Sequence, residues 1–305
     1  MNHTKPRRQV IYVASIYHSG STLFDLVASQ INGTLGLGEV FKFFFDGPEA
    51  RCSCGATTRD CEFWKESIDS RELSSRGKSA KYIESEFKAL WSRIETDHPD
   101  RVIIDGSKVS PYKLTGNQVV RNHLLHLYRQ DKRFDLFTVY LVKDARAWVS
   151  SMIRRDLRKA KQSKYLVTHV LSLVGFLVMR NWILRYFQWG WSTFWLLRQH
   201  HKDQDALFLD YKDLCANHNQ LLTAIEKRFA LRDTERRPPG LTHICVGNPS
   251  RFSFLAKQTI AYDDRWKGSA IVRIIYVLIP LFRWLDHSVG VRSRNSLAKA
   301  LGSLN

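Results

Sequence analysis

The sequence predicts an α/β fold in which a parallel β-sheet carries helices on both faces. Short apolar, β-branched runs recur along the chain, and helix-patterned segments separate them. Two of the runs, VIYVAS at 10–15 and LFTVYLVK at 136–143, are apolar almost throughout instead of alternating, as strands covered on both faces are.

Taken in order, residues 10–15 form the first strand and 21–31 a helix, with Leu23, Leu26, Val27 and Gln30 at helical spacing. Residues 35–39 (LGLGE) form a second short strand, 78–97 a polar helix and 101–105 (RVIID) a third strand. A helix at 117–130, the long buried strand at 136–143, a helix at 145–158 and a strand at 207–211 (LFLDY) follow. One domain over 1–305 accommodates them, with a mostly helical, apolar insertion at 157–200 and a helical C-terminal segment at 268–305. Ligands of such sheets sit at the carboxyl ends of the strands.

The composition narrows the partners. A formal net charge of +18, from 47 Lys and Arg against 29 Asp and Glu, points to an anionic partner: a nucleotide, a nucleic acid, a membrane surface or an acidic substrate. No helix-turn-helix, zinc finger or aromatic stacking platform is recognisable, and the basic residues are scattered, so no nucleic acid is expected. No signal peptide is apparent, and the five cysteines, an odd count, suit a reducing, cytoplasmic setting. Residues 165–197 carry only Arg180 and Arg185 as charges together with four Trp, and residues 274–282 are apolar within AIVRIIYVLIPLFRWL. Two readings stand for these segments: interfacial anchors on the cytoplasmic face of a membrane, or a helical pair roofing the sheet.

The first strand runs into HSGST at 18–22 and then into a helix. Laid on the Walker pattern G-x-x-x-x-G-K-[ST], residues 15–22 keep Gly20 and the hydroxyl of Thr22, but Ser15 replaces the first Gly and Ser21 the Lys. Gly20 permits close backbone approach, and the N–H groups of residues 19–22 open a helix, so this P-loop-like turn suits one phosphate. Without the Lys it is poorly built to clamp a triphosphate and Mg²⁺. A second stretch, VYLVKDARAWVSSMIRR at 139–155, ends a strand at Lys143 and enters a helix with Ser151 and Arg155 on one face. These three suit a second phosphate.

With both stretches in view, the chain resembles the sulfotransferases that use 3′-phosphoadenosine 5′-phosphosulfate (PAPS), in particular the bacterial carbohydrate and tyrosylprotein types. That family pairs [RK]-S-G-[ST]-[ST] for the 5′-phosphosulfate with R-D-P-R-x-x-x-x-S for the 3′-phosphate. Here the counterparts are H-S-G-S-T at 18–22 and K-D-A-R-A-W-V-S-S at 143–151. Looser likenesses follow in the family's order: C-S-C-G-A-T-T-R-D-C-E-F-W at 52–64, D-G-S-K at 105–108, L-D-Y-K-D-L at 209–214 and H-I-C-V-G-N-P-S-R-F at 243–252.

The resemblance implies a donor, PAPS, with adenosine 3′,5′-bisphosphate as product, no catalytic metal, and a hydroxyl or amine acceptor that is carbohydrate, lipid-linked or small. It implies donor contacts from His18, Ser19, Gly20, Ser21, Thr22, Lys143, Ser151, Arg155, Tyr211 and Arg251. Glu39 is the expected base for the acceptor proton, and Lys108 the cation that meets charge as the S–O bond breaks. His18 is also counted with Glu39 and Lys108 as catalytic, an electrophile or acid for the leaving group, but it stands where the family has Arg or Lys and so brings full charge only when protonated. Lys143 in place of Arg keeps the charge and loses the bidentate fork. The alternatives are a P-loop kinase-like enzyme of a small metabolite and a basic nucleic-acid-binding protein. Cys52, Cys54 and Cys61 leave three readings, a structural loop, a zinc site with a fourth ligand from elsewhere, or a redox disulfide; the loop is preferred and no metal ligand is assigned.

Overall fold

The computed structural model describes residues 7–46, 49–65, 80–111, 117–162, 174–231, 236, 243–245 and 260–302. Five strands, β1 (Arg8–Ser15), β2 (Thr34–Gly38), β3 (Val102–Asp105), β4 (Phe134–Val142) and β5 (Leu207–Asp210), form one sheet. Its order is β2-β3-β1-β4-β5, and every pairing is parallel. Helices α1 (Ser21–Ala28), α2 (Val40–Asp46), α3 (Ala80–Asp97), α4 (Asn117–Gln130), α5 (Ala145–Gln162) and α6 (Val174–Lys202) come before β5. Helices α7 (Tyr211–Ala216), α8 (His218–Arg228), α9 (Ala270–Leu278) and α10 (Pro280–Leu301) come after it.

The apolar runs became central strands because both their faces are covered. Val10 through Ala14 of β1 and Val139 through Val142 of β4 are all essentially inaccessible to solvent. The chain leaves β1 towards β2 and leaves β4 towards β5, in opposite directions across the sheet. A crevice therefore opens at the carboxyl ends of the adjacent strands β1 and β4.

Several boundaries differ from the sequence reading for local reasons. Strand β2 ends at Gly38, not Glu39, because Gly38 takes φ 77 and turns the chain out of the strand. Strand β5 ends at Asp210, whose carboxylate accepts from Lys212 N–H and caps α7, so Tyr211 is the first residue of a helix. Helix α1 stops at Ala28, where Ser29 N–H and Oγ both turn back to the Asp25 carbonyl. Helix α5 runs on to Gln162.

Edge strands expose backbone donors, and here both edges are covered. Ser296 and Ser293 of α10 accept from the β5 N–H groups of Phe208 (2.9 Å) and Asp210 (2.8 Å). On the opposite edge, Cys245 N–H donates to Leu37 O (2.8 Å) and Glu39 N–H to Cys245 O (3.0 Å).

Of the segments at 165–197 and 274–282, residues 165–173 lie outside the described residues, and the side chains from 181 onward divide by face. Tyr186, Trp189, Ser192, Thr193 and Leu196 of α6 are buried, and Phe282 of α10 stacks on Tyr186. The outer face leaves Leu184, Phe187, Trp191 and Phe194 more than half exposed, and Val277, Leu278, Leu281 and Trp284 of α9 and α10 are as exposed. Among the described residues no single helix is long and apolar enough to cross a membrane; α9 and α10, bent by 91°, reach that length and composition only together.

Candidate active site

The loop after β1 is shaped by two residues in the left-handed region, His18 (φ 62) and Gly20 (φ 98). Gly20 is required twice over, because a Cβ there would also lie 2.5 Å from the ring of Tyr211. Trp148 of α5 fixes the loop by donating from Nε1 to Tyr17 O (2.6 Å). Ser19, Ser21 and Thr22 are buried at the head of α1. Ser15 Oγ and Ser19 Oγ are buried without a hydrogen-bond partner among the described residues, which fits a loop that receives an anion's oxygens.

Lys143 directly follows β4 and is buried. Its carbonyl accepts from Trp189 Nε1 of α6 (2.8 Å), and its ammonium lies 4.6 Å from the centre of the Tyr211 ring. Burial pulls its pKa down, and Asp263 works against that fall from 2.9 Å. Asp263 also pairs with Arg154 (3.2 Å) and Arg265 (2.7 Å), so one carboxylate faces three cations. The paired cations hold the Asp263 carboxyl well below the usual carboxylate range despite its burial.

Ser151 and Arg155 turn towards the loop after β1. Ser151 Oγ is 3.4 Å from His18 Nδ1, and the charge of Arg155 is felt at His18. The Arg155 guanidinium is itself paired with Asp156 (2.9 Å). Burial, followed by the charges of Lys108, Arg155 and Lys143, lowers the His18 pKa to about 3. His18 is therefore neutral near pH 7 in the free chain and supplies a hydrogen bond, not a fixed charge.

The third element is the pair formed by Glu39 and Lys108. Strands β2 and β3 bring them together, through Gly106 N–H donating to Gly38 O (2.7 Å) and Ser107 Oγ accepting from Phe41 N–H (3.0 Å). Lys108 sits at φ 69, with its carbonyl accepting from Tyr12 Oη (2.7 Å), while Val109 N–H donates to Ser15 O (2.9 Å). The Lys108 ammonium is hydrogen-bonded to Glu39 Oε1, both side chains are buried, and Lys42 approaches Glu39 Oε2 (3.8 Å). Below them lie two more buried carboxyls. Desolvation pushes Asp105 up to about 6, against hydrogen bonds from Ser107 and Tyr128, and holds Asp25 well above its ordinary value.

His18, Ser19, Gly20, Ser21, Thr22, Glu39, Lys108, Lys143, Ser151, Arg155 and Tyr211 thus gather at the carboxyl ends of β1 to β5. Tyr211 serves as a wall, packed on Gly20 and under Lys143. Arg251 lies outside the described residues. Sequence reasoning missed Arg154, Asp263, Arg265, Asp105, Asp25, Trp148 and Trp189. The adjacency of Arg154 to Arg155, and of Asp263 to Arg265, was the available signal for this cluster of charges. Nothing in the sequence pointed to the Trp189 hydrogen bond, which needs α6 laid across the end of β4.

No family model and no curated protein matches the chain. Among solved structures, it resembles the "Sulfotransferase Domain from the Synechococcus PCC 7002 Olefin Synthase", with a TM-score of 0.51 and 15% identity, over 95% of this chain and 97% of that one. It also aligns with the "Sulfotransferase Domain from the Curacin Biosynthetic Pathway", with a TM-score of 0.48 and 16% identity, over 90% of this chain and 98% of that one. At such identity the likeness is one of architecture: the chain has the fold of a sulfotransferase domain.

Proposed function

We propose that the chain transfers a sulfo group from PAPS to a hydroxyl or amine of an acceptor. The observation that carries the reading is the convergence of two separate anion-binding devices on one crevice. One is the loop His18–Thr22 at the head of α1; the other is Lys143, just after β4, with Ser151 of α5. A donor with phosphates at both 5′ and 3′ positions needs two grips and no Walker lysine. The buried Ser19 hydroxyl, without a partner among the described residues, and the closeness that Gly20 allows support the fit.

In this reading the loop N–H groups and Ser19, Ser21 and Thr22 hold the 5′-phosphosulfate, and Lys143 and Ser151 hold the 3′-phosphate, with Arg154 close behind. The donor supplies an activated sulfo group on a phosphate leaving group. Glu39 removes the acceptor proton. Lys108 meets the charge that grows on the leaving oxygen. The Glu39–Lys108 ion pair gives the two roles an order. An anion arriving at the loop competes for the Lys108 ammonium and releases the Glu39 carboxylate to act as base.

We place the protein in the cytoplasm, in peripheral contact with an anionic membrane face. The net charge of +18 and the half-exposed apolar residues of α6, α9 and α10 support that placement. Co-sedimentation with phosphatidylglycerol vesicles and none with phosphatidylcholine is the expected result.

The deciding experiment for the donor is calorimetric binding, without Mg²⁺, of adenosine 3′,5′-bisphosphate against 5′-AMP and ATP. A preference of about tenfold or more, ~1.4 kcal/mol, for the bisphosphate is expected. Equal affinity would remove the 3′-phosphate site, and an ATP preference that needs Mg²⁺ would favour the kinase-like alternative.

A further inference from the structure

We propose that Cys52, Cys54, Cys61 and His243 form a structural zinc site that fastens the segment 243–245 to the edge of the sheet beside Glu39. The sequence assigns no metal and offers only three ligands in one stretch. The fourth comes from a residue remote in sequence, and the ligand atoms of all four lie within 4.8 Å of one another.

The spacings suit a tetrahedral ion. Cys54 Sγ and Cys61 Sγ are 3.7 Å apart, and His243 Nδ1 is 3.2 Å from Cys61 Sγ and 3.8 Å from Cys52 Sγ. Bonds of ~2.3 Å to sulfur and ~2.0 Å to nitrogen in a tetrahedron place sulfurs about 3.8 Å apart and sulfur and nitrogen about 3.6 Å apart. A disulfide would join two of these sulfurs and leave the imidazole and the third thiol without a role. Three thiolates with one imidazole are a soft, closed donor set, which selects Zn²⁺ over the oxygen-seeking cations and leaves no open position for catalysis.

Backbone donors face the sulfurs. The backbone N–H of Cys54 is directed at Cys52 Sγ, and those of Phe63 and Trp64 at Cys61 Sγ. Gly55, at φ 96, turns the chain between Cys54 and the rest of the loop, with Gly55 N–H donating to Cys52 O (3.1 Å). The His243 ring is stacked on Phe63 at 5.4 Å and 10°, and its carbonyl accepts from Trp64 Nε1 (2.7 Å), which fixes its orientation.

The consequence is positional. Segment 243–245 is bonded to both sides: Ser53 N–H donates to Ile244 O (3.0 Å), while Cys245 pairs with Leu37 and Glu39. Gly38 touches it so closely that a Cβ would lie 2.6 Å from Cys245 O. An ion holding His243 to the cysteine loop thereby holds the backbone of Glu39.

Elemental analysis of the full chain, purified under reducing conditions without chelator, is expected to give one zinc per chain. Co²⁺ exchanged for it should show the d–d and sulfur-to-metal absorption of a tetrahedral thiolate centre. Cys54→Ser, at the exposed ligand, should weaken zinc at least tenfold, and His243→Ala should alter the Co²⁺ spectrum. Where a variant fails to fold, the wild-type Co²⁺ spectrum decides alone. A metal-free chain with Cys52, Cys54 and Cys61 all free after growth in zinc-supplemented medium, or an intact Cys54–Cys61 disulfide by mass spectrometry, would overturn the proposal. Neither result depends on which donor the crevice binds.

Discussion

The two ends of the crevice hold the same kind of pair in opposite surroundings. At β2 and β3, Lys108 meets Glu39 above two further buried carboxyls, Asp25 and Asp105. At β4, Lys143 meets Asp263, but that carboxylate is shared with Arg154 and Arg265. The first end is rich in acid and suited to accept a proton; the second is rich in cations and suited to hold an anion. An ion pair by itself does not state a role. The groups behind it set the sign of the potential and so the chemistry available. His18 lies between, neutral because it is buried and because the cations of both ends bear on it.

That contrast can be broken from either side. The largest effect is expected at the acid end. Glu39→Gln keeps the shape and removes the base, so transfer should fall by about 10²–10⁴ while affinity for adenosine 3′,5′-bisphosphate holds within about twofold, read by turnover and calorimetry. Equal loss of both would make Glu39 part of the anion site and erase the distinction.

Asp105 tests the same end through stability. Its folded carboxyl titrates at about 6, above its ordinary value of 3.8. The folded state binds that proton more tightly, so this contribution is full below pH 4 and is lost as the pH rises through 6. The difference corresponds to about 3 kcal/mol. Asp105→Asn should therefore flatten the decline of the thermal midpoint between pH 4 and 8. An unchanged slope would deny that Asp105 is held protonated.

At the cationic end, Lys143→Ala should weaken the bisphosphate by about 1.5–3 kcal/mol, the worth of a charged hydrogen bond, and leave 5′-AMP nearly unaffected. Asp263→Asn sharpens the test: with the competing carboxylate gone, the bisphosphate should bind more tightly even as the fold loses stability. The smallest effect belongs to His18. A bound dianion raises its pKa from about 3, so affinity should increase as the pH falls towards that raised value. His18→Gln should remove this pH dependence, measured as proton uptake in buffers of different ionisation enthalpy.

Much of the fold was legible because it rests on local chemistry. The apolar runs at 10–15 and 136–143 had to be buried on both faces, and each was found in the middle of the sheet. Gly20 and Ser151 announced their places by conformational need and helical spacing. Within the apolar insertion at 157–200, α6 packs Trp189 against Lys143 and presents apolar residues outward on the other face. Composition alone could not separate those faces, because each carries a Trp, a Leu and a further aromatic ring.

The sequence by itself determined the strands, the phosphate-type loop and the residue types in the crevice, because each follows from contacts within a few residues. Only the tertiary structure decided the pairings: Glu39 with Lys108 across 69 residues, Lys143 with Asp263 across 120, and Cys61 with His243 across 182. Long-range charge and ligand pairs leave no periodic trace along the chain. They arise where parallel strands end side by side, and it is the order β2-β3-β1-β4-β5 that brings the strand ends carrying Glu39, Lys108 and Lys143 to one rim of the sheet.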